Sequence, residues 1–256
     1  MIKFFRKIRQ YLLMENKTGK YFKYAIGEII LVVVGILIAL SINNWNDNRK
    51  NNNLKQAYVK NLIFDLEKDL ERLKRLQNQN TNYENGGIYI LDFINNKLPK
   101  IDTLTLTESL VYCSYIPNFT ITATTYNDII NGNNINLFQD VKLKRLLESH
   151  YTPNEWGALF NDRILKTAWY DYKDEIVKHL SPLLYRDIYE IAGGFSGNRL
   201  NGSADYKINW EQIKTNEYLK TQVEIITSYR ISIRSRLNGK IKSAKSILEY
   251  FELNPE

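Results

Sequence analysis

The chain is poor in the residues that build cross-linked or turn-rich folds. One cysteine, Cys113, in 256 residues excludes a disulfide framework, and with only His150 and His179 beside it no Cys/His zinc site can be assembled. Five prolines and 12 glycines are few for this length, which disfavours an all-β sandwich and favours long helices. A hydrophobic share of 44% with 25% charged residues excludes a disordered chain. Catalytic signatures are also missing. There is no Gly-x-Ser-x-Gly elbow, and no serine has an evident His and Asp escort. The stretch Gly193-Gly194-Phe195-Ser196-Gly197, followed by Asn201-Gly202-Ser203, reads as a loop without the preceding strand and Lys-Ser/Thr of a phosphate loop. The expectation is a mainly α protein with no catalytic residue, no cofactor and no metal site.

Positive charge is abundant, but only in one place. A net charge of +7 and a pI near 9.2 raise nucleic acid as a partner. Residues 1–24, however, hold Lys3, Arg6, Lys7, Arg9, Lys17, Lys20 and Lys23 against Glu15 alone, and so carry six of those seven charges. The remaining chain interleaves Lys and Arg with Asp and Glu and has no basic face interrupted by stacking aromatics. No nucleic-acid partner is expected.

The basic segment runs into Ala25-Ile26-Gly27-Glu28-Ile29-Ile30-Leu31-Val32-Val33-Val34-Gly35-Ile36-Leu37-Ile38-Ala39-Leu40-Ser41-Ile42, with 18 uncharged residues between Glu28 and Asp47. About 20 mostly apolar residues cross the hydrocarbon of a bilayer, so 25–45 reads as a transmembrane helix. Tyr21, Phe22 and Tyr24 at one end and Trp45 at the other stand where interfacial aromatic belts belong. The rival reading is a cleaved signal peptide, since Ala39-Leu40-Ser41 loosely resembles a cleavage site. Against it, the leading region is too long, the apolar run exceeds the usual length of about 7–15 residues, and Glu28 interrupts its start.

Lys and Arg are denser before the span than after it, where Arg49, Lys50, Lys55 and Lys60 follow Trp45. The positive-inside bias then puts the N-terminus in the cytoplasm and the body, 46–256, in the periplasm of a two-membrane envelope. In the leader, Phe4, Phe5, Ile8, Tyr11 and Leu12 share one helical face and Lys3, Arg6, Lys7 and Gln10 the other, the pattern of a helix lying on an anionic leaflet. Lys3, Arg6, Lys7, Arg9, Lys20, Lys23 and Trp45 are the expected membrane-surface anchors, with membrane lipid as partner.

The opening Met1-Ile2-Lys3-Phe4-Phe5-Arg6-Lys7-Ile8-Arg9, the segments Tyr24-Ala25-Ile26-Gly27-Glu28-Ile29 and Gly35-Ile36-Leu37-Ile38-Ala39-Leu40, and the exit Ile42-Asn43-Asn44-Trp45-Asn46 resemble a domain-of-unknown-function family of single-span membrane proteins from Gram-negative bacteria. Thr124-Thr125-Tyr126-Asn127-Asp128-Ile129-Ile130-Asn131-Gly132 and Leu143-Lys144-Arg145-Leu146-Leu147 are more loosely similar to its middle region, with Asn131-Gly132 where the family usually has Ser-Gly. The resemblance implies a membrane protein and carries over no catalytic residue.

Beyond the span, Leu54, Tyr58, Leu62, Leu66, Leu70, Leu73 and Leu76 form one helical stripe, and no Pro or Gly lies between Gly35 and Gly86. The span is therefore expected to continue into a stalk helix, 46–80. Near the other end Leu219, Val223, Ile226, Ile233, Leu237, Ile241, Ala244, Leu248 and Phe251 form a near-heptad stripe in a helix over 216–252, with Gly239 as a candidate kink. The two stripes are expected to meet antiparallel. Between them, central helices are read over 82–192, near 82–97, 105–115, 123–131, 139–150, 153–180 and 182–192. Their start signals are Thr105 with Glu108, Thr152-Pro153 with Glu155, and Ser181-Pro182.

Glu28 is an ionisable group inside the span, either snorkelling to the interface or pairing with a partner. Gly27, Gly35 and Ala39 offer a narrow face for helix association. His150 and His179 read as caps of helix dipoles, Asp171, Asp174 and Glu175 as solvated carboxylates, and Trp156, Phe160, Trp169, Tyr170 and Tyr172 as core aromatics. The sequence thus predicts a non-enzymatic single-pass membrane protein whose exported helical domain associates with itself or with another envelope protein. The alternatives are a ligand-sensing domain that signals through a partner, because the 24 cytoplasmic residues leave no room for an output domain, and an envelope hydrolase.

Overall fold

The computed structural model of the chain describes residues 18–115, 120–152, 161–180, 184 and 208–254. They are mainly helical, and the one β pairing among the described residues is an isolated antiparallel bridge between Leu180 and Ile208. Residues 1–17 of the expected 1–24 leader, Pro153 and Glu155, Trp156 and Phe160, Ser181-Pro182, most of the helix expected at 182–192 and the Gly-rich loop lie outside the described residues.

The first helix, α1, is continuous over Thr18–Ile94. The expected break between a stalk at 46–80 and a separate helix at 82–97 is absent: Asn80 spends its amide on Arg230 O and the Thr81 hydroxyl returns to Gln77 O, so neither caps a new helix. The helix ends where Asn96 adopts a left-handed φ of 57° and Lys97 N donates to Asp92 O (2.8 Å), an ending that Asn permits at little steric cost. The chain divides after Ala57 into two compact units.

In the first unit α1 carries the apolar run with its side chains open to the surroundings. From Ile26 to Ile42 the large apolar residues are 46–64% exposed, and none of the most apolar 18-residue window is buried. The helix is long and apolar enough to cross a membrane.

The second unit is built from the remainder of α1 with α2 (Thr103–Cys113), α3 (Thr124–Asn131), α4 (Val141–Tyr151), α5 (Lys166–Ile176), α6 (Trp210–Thr215) and α7 (Glu217–Leu253). A 3-10 turn at Asn134–Leu137 follows α3, and a π turn at Asn161–Leu165 leads into α5. Side-chain caps set several of the starts. Asp140 accepts from Lys142 N (2.6 Å) and Asn216 from Leu219 N (2.9 Å). For α2 the cap is Asp102, three residues ahead of the expected Thr105: its carboxylate accepts from Leu104 N (3.0 Å) and from the Thr105 hydroxyl (2.7 Å). The ionised acid outcompetes the neutral hydroxyl at a helix N-terminus.

Helices α1 and α7 run antiparallel in this unit and thread two apolar clusters. Leu62 and Leu66 of α1 join Ala244, Ile247 and Phe251 of α7 in one, with Ile129, Phe138, Leu143, Leu147 and Tyr151. Leu73, Ile90, Phe93 and Ile94 join Leu219, Val223, Ile226, Ile233 and Leu237 in the other, which α2 and α5 complete. Both expected stripes are therefore the core-facing ones, except that Leu54, at the start of the first, is 38% exposed and joins neither cluster. Gly239 lies in an uninterrupted α7 with nothing within 4 Å of its absent Cβ.

Candidate functional site

In the apolar run of α1, an added Cβ at Gly27 or Gly35 would meet nothing within 4 Å, so that helix surface is uncovered. Ala39 lies in the same exposed run, and Glu28 is half-exposed. Lys23 is exposed, and Lys20 lies in the first turn of α1. At the other end Trp45 is 63% exposed, and the Arg49 guanidinium stands over its ring at 5.7 Å. One helical turn thus presents an aromatic ring and a cation together, a combination suited to the headgroup level of a bilayer.

In the helical body the polar groups sit along the seam between α1 and α7. Gly87 lets the two backbones close: an added Cβ there would lie 2.1 Å from Thr227 Oγ1 and 3.2 Å from Thr227 Cβ. Beside it, Arg230 is only 2% exposed. Its guanidinium donates to the carbonyls of Tyr112 (2.9 Å) and Tyr115 at the end of α2, and stands over the Tyr83 ring at 4.8 Å. Burial lowers its pKa to about 10, which leaves it charged at neutral pH. Asn80 Nδ2 donates to Arg230 O (2.9 Å), Gln77 is hydrogen-bonded to Asn238 (2.5 Å), and Glu84 pairs with Arg234 at 3.0 Å. Cys113 is buried in the same region, where desolvation pushes its thiol up to about 12 and makes it inert.

Ten residues along α7 a second cation does the same work. Lys240 Nζ donates to the carbonyls of Ser149 and His150 in the last turn of α4. The expected cap, His150 as a cation on that helix dipole, is therefore corrected: Lys240 is the cation, and His150 is a fully buried side chain held low, to about 4, by desolvation and then by Lys240. His150 Nδ1 lies 2.6 Å from Ser243 Oγ. That is a nucleophile-to-base distance, but Nε2 has no partner among the described residues, and an imidazole with so low a pKa is a poor base at neutral pH. The pair acts as a tether.

A third polar group closes the far end. Glu175 is not solvated as expected: Lys178 Nζ (2.6 Å) and Asn216 Nδ2 (2.7 Å) donate to it, and His179 Nε2 lies at 3.4 Å. These partners, Lys178 first, hold its carboxyl below the ordinary range. His179 lies beyond the end of α5 rather than in its last turn. Of the expected core aromatics, Tyr172 is buried and donates to Leu110 O (2.9 Å), Trp169 donates to Ser114 O, and Tyr170 is 57% exposed. An open cleft of about 780 Å³ borders this group, lined by Lys178, His179, Leu180, Ile208, Trp210 and Glu211.

No local motif marks Asp69, Arg230 or Lys240, yet each replaces an apolar residue on a core-facing stripe. Asp69 falls between Leu66 and Leu73, Arg230 between Ile226 and Ile233, and Lys240 between Leu237 and Ala244. A polar residue in phase with buried neighbours is the signal that finds them. Among the described residues no group of three or more His, Cys, Asp or Glu could hold a metal ion. No curated protein and no solved structure matches the chain. Residues 28–125, most of the apolar run with the rest of α1, α2 and the start of α3, match a family of unknown function (DUF6090), which supports the resemblance to an uncharacterised family.

Proposed function

We propose that the chain is a non-enzymatic, single-pass protein of the inner membrane, N-terminus in the cytoplasm and helical domain in the periplasm, that works as an interaction or assembly component of the envelope. The observation that carries this reading is an uncovered apolar helix joined to a helical unit whose own apolar stripes are already closed on each other. Four of its polar side chains hold helix ends: Arg230 on α2, Lys240 on α4 and Asp140 and Asn216 as caps. The Lys and Arg excess before the span supports the orientation. The open cleft beside His179 and Trp210 favours the second reading, a ligand-sensing domain that signals through a partner.

Reporter fusions at Arg9 and at the C-terminus test the topology, with cytoplasmic and periplasmic signals expected; both ends on one side would refute it. Crosslinking in native membranes tests association. Gly35→Leu should weaken a span-mediated oligomer, and Leu37→Val should not. Glu28→Gln should leave assembly intact if Glu28 only snorkels and abolish it if the charge pairs with a partner.

A further inference from the structure

The junction of α4 with α7 joins four features. His150 is fully buried in the last turn of α4. Its ring is tethered to Ser243 across 93 positions of sequence, its other nitrogen has no partner among the described residues, and the Lys240 ammonium is fixed on the backbone of the same turn. We propose that this junction is an acid-released latch: protonation of His150 detaches α4 from α7 and opens the apolar cluster they share. The proposal goes beyond the placement in the envelope and does not depend on it.

Hydrogen-bond accounting explains why the latch holds when His150 is neutral. Ser243 Oγ has one proton, and it is directed to Lys240 O (3.2 Å). Assigned the tautomer that this leaves, His150 donates Nδ1–H to Ser243 Oγ across the 2.6 Å contact, and Nε2 carries only a lone pair. A proton arriving there creates a buried N–H with no acceptor among the described residues and a second positive charge beside Lys240. Among the described residues the other charges of this corner do not offset it. Glu148 lies on the same helix and is exposed, and Asp65 and Asp69 of α1 and Tyr126 of α3 act on Tyr151, not on His150. When α4 lifts, Leu143, Leu147 and Tyr151 leave Ala244, Ile247 and Phe251, so acid converts a closed face into an apolar surface.

The sign follows from linkage. His150 takes up its proton near 4 in the closed state and near 6.5 once open. The latch is fully closed above pH 6.5, weakens as pH falls from 6.5 to 4, and loses nothing further below that. Between pH 7 and 4.5 the opening equilibrium of α4 should rise roughly fifty-fold.

The test is hydrogen exchange on the full chain in lipid nanodiscs, corrected for intrinsic rates, with α2 as the internal reference. Wild type should lose protection selectively over 141–151 in this window, and His150→Phe, which fills the site without titrating, should not. His150→Asn, which keeps a donor toward Ser243, serves the same purpose if the Phe variant does not fold. With only two histidines in the chain, the His150 resonance is also readily followed by NMR. Its remaining neutral at pH 6 supports the latch. A His150 midpoint near 6.5, loss of α2 protection in step with α4, or equal acid loss in wild type and both variants would each overturn it.

Discussion

Replacing Gly87 by alanine separates a glycine that breaks a helix from one that lets two helices touch. Residue 87 lies in the interior of α1, where Ala is favoured over Gly by about 1 kcal/mol, so propensity alone predicts a gain. The added methyl would stand 2.1 Å from Thr227 Oγ1, 3.2 Å from its Cβ and 3.4 Å from its Cγ2. Turning the Thr227 side chain moves Oγ1 away but leaves the Cβ contact, so α1 and α7 must part by some tenths of an ångström along a seam that also carries Asn80 and Arg230. Overpacking of this kind costs about 1–3 kcal/mol, which offsets the propensity gain and leaves a net loss of up to about 2 kcal/mol. For a body of this size that lowers Tm by up to about 8 °C. Gly239→Ala is the control: it is equally interior to a helix, exposed and facing open space, and should raise stability by about 0.5–1 kcal/mol.

The assay is thermal and urea unfolding of the full chain in detergent, followed by far-UV circular dichroism. Thr227→Ala removes the clashing oxygen, which has no hydrogen-bond partner among the described residues, so the double variant should recover part of the Gly87→Ala loss. If Gly87→Ala stabilises as Gly239→Ala does, or if no coupling to Thr227 is found, the close approach is wrong and α1 does not meet α7 there.

How far the fold can be read from the sequence depends on whether a signal is local or distant. Leu62, Leu66 and Leu73 and the run from Leu219 to Phe251 are spaced for one helical face, and that spacing alone gives two long helices with apolar stripes that must meet. The continuity of α1 past residue 80 is not legible, because Asn80-Thr81-Asn82 looks the same as the start of a new helix and as the middle of an old one, and only the distant Arg230, whose carbonyl takes the Asn80 amide, decides between them. The His150 reading fails for a similar reason. An imidazole at a helix end is a cap when exposed, but α7 covers this one and brings its own ammonium. At the candidate site the apolar run is legible, whereas Arg230 is marked only by its phase between Ile226 and Ile233: an arginine on a helix usually faces water, and this one turns inward because α2 ends beneath it with carbonyls to satisfy.

Two further substitutions test the polar contacts that tie the body together. Asp69 is 2% exposed and accepts from Thr122 N (2.8 Å), from the Thr122 hydroxyl (2.8 Å) and from Arg72 (2.9 Å). Asp69→Asn keeps the shape but loses the charge and one acceptor, so unfolding should show a loss of about 1–3 kcal/mol, and an unchanged midpoint would mean that Thr122 is held otherwise. Arg230→Met poses a sharper question, because it removes a desolvated cation as well as its hydrogen bonds, and replacing a whole buried ion pair by apolar groups is often neutral. Here only one partner is removed. The part-buried carbonyls of Tyr112 and Tyr115 lose the donor that ties them to α7, so the desolvation gain is outweighed and a loss of about 2–4 kcal/mol is expected. Arg230→Lys should recover little, since an ammonium neither spans both carbonyls in one plane nor stacks on Tyr83. Hydrogen exchange should localise the damage to 103–115 while α4 stays protected by Lys240; an Arg230→Met variant as stable as wild type, or one that loosens both helices alike, would show that the cations of α7 do not each hold one helix end.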